Sequence, residues 1–226
     1  MEVHVIIVSG RAGSGKTSTA NEMSEQLSRL EVKHAHIDGD NLDAVYPEED
    51  GADMLLANLT ALCSNYYHRR GVDRFILSGT ALVLETSRIT DAIRRATGTI
   101  PLLSHVTSSS SSPQQRASTT SPPGSTGSAS GSGSGRPSPT THVHNGVMPP
   151  ASVNTRAFIL TASDALAAER LKRREVGTEL PKLLRSTQRM ASVLDSEIGG
   201  WARRVYTDRR AVKDIALDIL RAAGWM

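Results

Sequence analysis

The chain has 226 residues, of which 38% are hydrophobic, and a formal net charge of +3. That composition supports a packed core but excludes a membrane-spanning helix, since no apolar run, Val5 to Val8 included, approaches the roughly 18 residues a span needs. Arg116 and Arg136 lie in an acid-free stretch, and elsewhere bases and acids are interspersed, so a basic face for nucleic acid is not expected. No basic stretch followed by an apolar one opens the chain, so no secretory signal is expected. Cys63 is the only cysteine. It excludes an internal disulfide and points to a reducing, cytoplasmic setting.

In chain order, Val3 to Val8 is an almost continuous apolar, β-branched run, as in a strand buried on both faces. Glycines follow, then a helix over Thr17 to Leu30 with Ala20, Met23, Leu27 and Leu30 at helical spacing. A short strand is predicted at His34 to Ile37, and a helix from Ala52 to Arg69 with Leu55, Leu56, Leu59, Leu62 and Tyr66 on one side. Phe75 to Leu77 reads as a strand and Thr86 to Arg95 as a helix. From 107 to 152, Ser, Thr, Pro and Gly dominate, as in Ser108 to Ser112 and Gly131 to Gly135. Such a stretch buries too little apolar surface to offset the entropy of ordering it, and it is predicted to be a disordered insert. Its hydroxyls and Ser-Pro pairs leave open a phosphorylation or docking role. Beyond it come a strand at Ala157 to Thr161 and helices at Asp164 to Arg174 and Glu179 to Asp195, with Pro181 tolerated in a first turn. A strand at Arg204 to Tyr206 and a helix at Ala211 to Ala222 follow. Strand and helix alternate, which predicts an α/β fold with a parallel sheet and helices on both faces. Residues 1–106 and 153–226 then form one domain, interrupted by the insert.

The chemistry begins at Gly10-Arg11-Ala12-Gly13-Ser14-Gly15-Lys16-Thr17. By average residue usage this pattern arises by chance in roughly one chain in a hundred of this size. Here it also lies between a buried strand and an amphipathic helix, the context that makes it a phosphate loop. The glycines let successive N–H groups turn inward as an anion nest, and the following helix adds its positive end. Gly10, Arg11, Ala12, Gly13, Ser14, Gly15, Lys16, Thr17 and Ser18 are therefore expected to hold a nucleoside triphosphate. Lys16 is expected to stay exposed until it meets the β- and γ-phosphates, and the Thr17 hydroxyl is expected to ligate Mg²⁺.

The second constellation, His36-Ile37-Asp38-Gly39-Asp40-Asn41, follows the second strand. Ligands of open α/β sheets bind beyond the carboxyl ends of the strands, which puts Asp38 and Asp40 beside the loop. As an isolated tripeptide Asp-Gly-Asp would be a plain turn. In Glu169 to Glu175, Arg170 and Arg174 share a helix face that Arg173 borders, and Arg185 and Arg189 repeat the spacing. A solvated, salt-bridged face gives the same pattern. His34 and His36 alternate on a strand and read as packed or exposed. His142 and His144, far from Cys63, make no zinc site.

Taken together, Gly10 to Thr17, Asp38 to Asn41 and the late arginines resemble the small-molecule kinases of the phosphate-loop NTPase superfamily. Adenylylsulfate kinase, gluconate kinase, shikimate kinase and chloramphenicol phosphotransferase are the groups it resembles, over most of the chain outside the insert. The resemblance implies a three-layer fold with sheet order 2-3-1-4-5 and a mobile lid after the fourth strand. It implies ATP and Mg²⁺, with Asp38 holding the metal through water and Asp40 binding an acceptor hydroxyl and drawing off its proton. Arg170 and Arg174 would be lid residues that stabilise the transferred phosphoryl group. Thr207 to Arg210 would lie at the adenine base, or form a helix N-cap. Ser78-Gly79-Thr80 would face the acceptor, or form a turn. The third strand departs from the superfamily pattern, ending at Ser78 without the acid of a Walker B element. That departure shifts weight to Asp38 and argues against a motor-type ATPase. The implied activity is ATP- and Mg²⁺-dependent phosphoryl transfer to a small hydroxyl-bearing acceptor, with no membrane partner. The rivals are a nucleotide-binding regulator or slow NTPase without an acceptor, and an RNA- or protein-binding module.

Overall fold

Val3, Val5, Ile6, Ile7 and Val8 are at most 1% exposed, and their strand, β1 (Glu2–Ser9), lies at the centre of a parallel sheet. The structure is a computed structural model that describes residues 2–47, 51–98, 152–174 and 180–226. The other strands are β2 (Ala35–Asp38), β3 (Arg74–Ser78), β4 (Ser152–Thr161) and β5 (Arg203–Tyr206). Their order is β2-β3-β1-β4-β5, and every pairing is parallel. This is the expected arrangement. On β1, Val3, Val5 and Ile7 enter one core and Ile6 and Val8 the other, the two-residue period of a strand covered on both faces.

The first core is closed by Leu55, Leu59 and Cys63 of α2 (Asp53–Arg70), Ile89 and Ile93 of α3 (Thr86–Gly98), and Leu194 of α5 (Leu180–Glu197). The second is closed by Ala20, Met23 and Leu27 of α1 (Lys16–Arg29) and by Ile215, Ala216, Ile219 and Leu220 of α6 (Val212–Ala222). α4 (Asp164–Arg174) instead lies beside the phosphate loop, where an added Gly13 Cβ would meet its Ala167. Each fully buried Leu, Ile or Phe contributes about 1.5–3 kcal/mol of transfer free energy, so these faces anchor the helices. Cys63 is buried, and burial pushes its thiol pKa up to about 12, so it acts as a small apolar residue. No described helix is long and apolar enough to cross a membrane.

Three local features differ from the expectation. β4 begins at Ser152, not Ala157, and pairs with β1 from Glu2↔Ser152 to Ser9↔Ile159. Its first half, Ser-Val-Asn-Thr-Arg, carries too few apolar residues to read as a strand, and β1 supplies the ladder. Asp38 ends β2 and caps a 3-10 turn, Gly39–Asn41, and a second such turn, Leu82–Glu85, precedes α3. Residues 107–151 of the predicted insert, with Arg116, Arg136, His142 and His144, lie outside the described residues, as do Glu175 and Glu179.

Candidate active site

β1 ends at Ser9, whose buried hydroxyl accepts the Val83 N–H at 3.0 Å and so ties the strand end to the turn after β3. The chain then bends through Gly10, Gly13 and Gly15, all with positive φ. Gly13 shows why glycine is needed: its φ is +80°, and an added Cβ would lie 2.7 Å from the Ala167 carbonyl oxygen of α4. No side chain caps the start of α1. The N–H groups of its first turn therefore remain available to an anion. The Ser14 hydroxyl is buried and has no hydrogen-bond partner. An orphaned hydroxyl, an uncapped helix start and a lysine form a donor set that fits phosphate oxygens.

Lys16 differs from the expectation of an exposed side chain, being only 9% exposed. Its Nζ lies 3.5 Å from the Arg11 carbonyl oxygen. Burial lowers its pKa, while Asp40 and Asp38 push it back up and Arg174 pushes it down. The ammonium is thus already stripped of much of its water, which strengthens its pull on a phosphate. Thr17 and Ser18 are exposed at the cavity.

The Asp38 carboxylate accepts the Asp40 N–H at 3.1 Å, closing the 3-10 turn. Asp40 is held from the neighbouring strand end: its Oδ1 accepts the Thr80 N–H at 2.7 Å and its Oδ2 accepts the Thr80 hydroxyl at 3.0 Å. This close approach needs Gly79, where a Cβ would lie 2.7 Å from Leu82 Cγ and 3.1 Å from Asp40 Oδ1. Leu82 also packs on Gly39, and so seats both loops.

From α4, Arg170 Nη1 donates to the carbonyl oxygens of Gly13 at 3.1 Å and Ser14 at 3.3 Å. Arg11 turns the other way, donating to the Ala162 carbonyl oxygen at 2.7 Å and pairing with Asp164 at the start of α4. The loop and α4 are thereby joined at two points.

These elements surround a cavity of ≈ 580 Å³. Ala12 to Thr19 line one wall, and Asp38, Asp40, Asn41 and Thr80 another. Arg170, Leu171, Arg174, Leu183, Thr207, Val212 and Ile215 complete its lining. Most of the residues singled out in the sequence therefore meet at one place. Gly10 and Arg11 lie behind the loop: an added Gly10 Cβ would be 2.5 Å from the Leu160 carbonyl oxygen. Arg173 turns to solvent and pairs with Glu169, and Arg185 and Arg189 are exposed on α5 without lining the cavity. Of the segment after β5, only Thr207 lines it. Asp208 accepts the Ser163 N–H, bonds to Ser163 holding its carboxyl below the usual range, and Arg210 pairs with Asp218. His34 bonds the Val32 carbonyl through Nδ1, so its Nε2 accepts from Ser24; His36 bonds the Ser78 hydroxyl. Neither histidine lines the cavity. Among the described residues no group of three or more His, Cys, Asp and Glu forms a metal cage. The donor set of Thr17 and Asp38 suits Mg²⁺, which keeps several waters and takes phosphate oxygens. Sequence reasoning missed the Arg11 clamp, Leu82, Leu183, Val212 and Ile215.

No protein-family model matches the chain, and no curated protein matches it in sequence. Among solved structures it is similar to the protein described as APE1195, at 9% identity and a TM-score of 0.51, over 99% of this chain and 96% of that one. It is also similar to a gluconokinase from Sinorhizobium meliloti 1021 (16% identity, TM-score 0.49, 98% and 92% covered). A shikimate kinase from Acinetobacter baumannii, solved with shikimate, gives 12% identity and a TM-score of 0.47 over 98% and 93%. At these identities the likeness is one of fold alone, a parallel five-stranded sheet with helices on both faces.

Proposed function

We propose that the chain is an ATP- and Mg²⁺-dependent phosphotransferase acting on a small hydroxyl-bearing acceptor. The observation that carries this is the meeting of two chemistries in one cavity. A phosphate loop with a desolvated lysine and a carboxylate fixed by Thr80 line the same cavity. Ala12 to Ser18 would hold the phosphates, with Lys16 at the β- and γ-groups. Thr207, Val212 and Ile215 would border the base. Thr17, and Asp38 through water, would hold Mg²⁺, which supplies charge neutralisation at the β- and γ-oxygens.

The acceptor hydroxyl oxygen forms a bond to the γ-phosphorus as the bond to the β,γ-bridging oxygen breaks, its electron pair leaving on ADP. The hydroxyl proton passes to Asp40 and then to solvent. The two bonds from Thr80 fix the plane of the Asp40 carboxylate, and each oxygen keeps a lone pair for the acceptor. Arg170 and Arg174, above the loop, would meet charge spread over the transferred group. A cytoplasmic site of action belongs to the same proposal. A screen of hydroxylated metabolites and nucleosides for acceptor-dependent ADP formation tests it. Stimulation by one class supports the reading. ATP binding without stimulation by any acceptor makes the chain a nucleotide-binding regulator or slow NTPase.

A further inference from the structure

The phosphate loop carries two cations, and only one of them reaches the cavity. Lys16 lines it, whereas Arg11 is 6% exposed and does not. The Arg11 guanidinium turns behind the loop to the start of α4, donating to the Ala162 carbonyl oxygen at 2.7 Å and pairing with Asp164. A charge taken out of water is costly unless its partners stay in place, so this contact holds loop and helix in one arrangement. The start of α4 is also held from a second side, where Asp208 accepts the Ser163 N–H at 3.0 Å.

α4 delivers two arginines to the cavity. Arg170 and Arg174 both line it, and Arg174 is near enough to Lys16 to disfavour its proton. At 1.5 Å per residue, they stand about 9 and about 15 Å along the helix from Asp164. Over that arm a tilt of about 5° at the tied end moves Arg174 by about 1 Å. A misplacement of that size can cost about 10²-fold in rate, because charge must be met where it develops. Arg170 touches the loop only through Nη1, at the end of a flexible side chain. The direction of the helix backbone is set at its start.

We infer that Arg11 is a positioning residue for phosphoryl transfer, one that acts through α4 to set where Arg170 and Arg174 stand about the transferred group. This rests on the phosphotransferase reading above. It reverses the expectation that the Arg11 side chain holds the triphosphate directly. A clamp that only stabilises the fold would lower the unfolding free energy and leave transfer by folded molecules unchanged. A positioning clamp serves the transition state more than the ground state.

The test compares two complexes of the full chain below its melting temperature: ATP·Mg²⁺, and ADP·Mg²⁺ with fluoroaluminate as a stand-in for the phosphoryl group in transit. Both affinities are read by calorimetry, so no acceptor is needed. Arg11→Met keeps the apolar stem and removes the guanidinium. It is expected to leave ATP·Mg²⁺ affinity nearly unchanged and to weaken the fluoroaluminate complex by about 10- to 100-fold. With an acceptor from the screen above, kcat should fall by a similar factor while the KM for ATP changes little. In an Arg170→Ala/Arg174→Ala background the same substitution should cost nothing further, since residues acting as a unit are not additive. If Arg11→Met does not fold, Asp164→Ala, at the more exposed end of the pair, breaks one arm and should give the same split more weakly. Equal loss of both affinities, a loss of stability alone, or a full further loss in the double-alanine background overturns the positioning role and leaves the phosphotransferase reading standing. ATP·Mg²⁺ binding with no gain from fluoroaluminate and no acceptor turnover overturns both.

Discussion

Lys16 concentrates the electrostatics of the site in one side chain. Burial lowers its pKa from 10.5, so the folded chain releases this proton before the unfolded chain does. In the window between the lowered value and 10.5 the unfolded state binds more protons, and stability contributed at this position rises with pH. Triphosphate affinity should move the opposite way in that window, because a neutral amine no longer attracts phosphate. The difference in urea unfolding free energy between wild type and Lys16→Met, followed against pH, checks the first trend. Calorimetry with ATP·Mg²⁺ over the same range checks the second. At neutral pH, Lys16→Ala should weaken that binding by about 10- to 100-fold, the scale of a lost charge-assisted hydrogen bond of about 1.5–3 kcal/mol. Asp38 makes a different prediction. If it supports Mg²⁺, the activity lost in Asp38→Asn should partly return as Mg²⁺ is raised, as read from steady-state rates across a metal series. A defect that does not respond to metal would move Asp38 out of that role.

Elements place these residues by contacts of very different range, and this explains what the sequence made legible. The phosphate loop is a local object: eight consecutive residues, a strand before and a helix after, each with its own period. Asp38 and Asp40 were legible because they lie at the carboxyl end of β2. What holds Asp40, however, is Thr80, forty positions away and reachable only because Gly79 and Leu82 let two loops touch. Arg11 reads locally as one more loop residue, yet its guanidinium serves Ala162 and Asp164, some 150 positions on. No short pattern encodes that direction. Likewise α6 shows an apolar face whose period says nothing of Val212 and Ile215 bordering a cavity. The clamp carries a prediction of its own. Arg11→Ala leaves the Ala162 carbonyl short of a donor and should cost about 1–3 kcal/mol in urea unfolding. Arg11→Lys should not restore it, because an ammonium cannot reproduce the two-armed contact. Full stability of Arg11→Ala would mean that the Arg170 bonds to the loop and packing suffice to hold α4.

At the scale of the molecule, the strand order followed from the family resemblance, while layers and parallel strands followed from alternating periods of two and 3.6 residues. The start of β4 was not legible, since Ser152 to Arg156 is strand only by virtue of its pairing with β1. The composition of residues 108–151 gives a further prediction. Replacing them with a Gly-Ser linker long enough to join α3 to β4 should preserve nucleotide affinity and change stability by about a kcal/mol at most, since closure cost grows with the logarithm of loop length. Calorimetric melting checks this, and a large fall in Tm would show that the segment packs on the domain. The account as a whole rests on phosphoryl transfer from one wall of the cavity to a hydroxyl held at the other. The most direct measurement is acceptor-dependent ADP formation in wild type and Asp40→Asn, with the phosphorylated acceptor quantified by phosphorus NMR. The account predicts one phosphate monoester per ADP in wild type. In Asp40→Asn it predicts an acceptor-dependent rate lower by about 10²–10⁴-fold, the usual cost of losing a positioned general base, with ATP affinity unchanged. Full acceptor-dependent activity in Asp40→Asn, or ADP released without a phosphorylated acceptor in wild type, would contradict it.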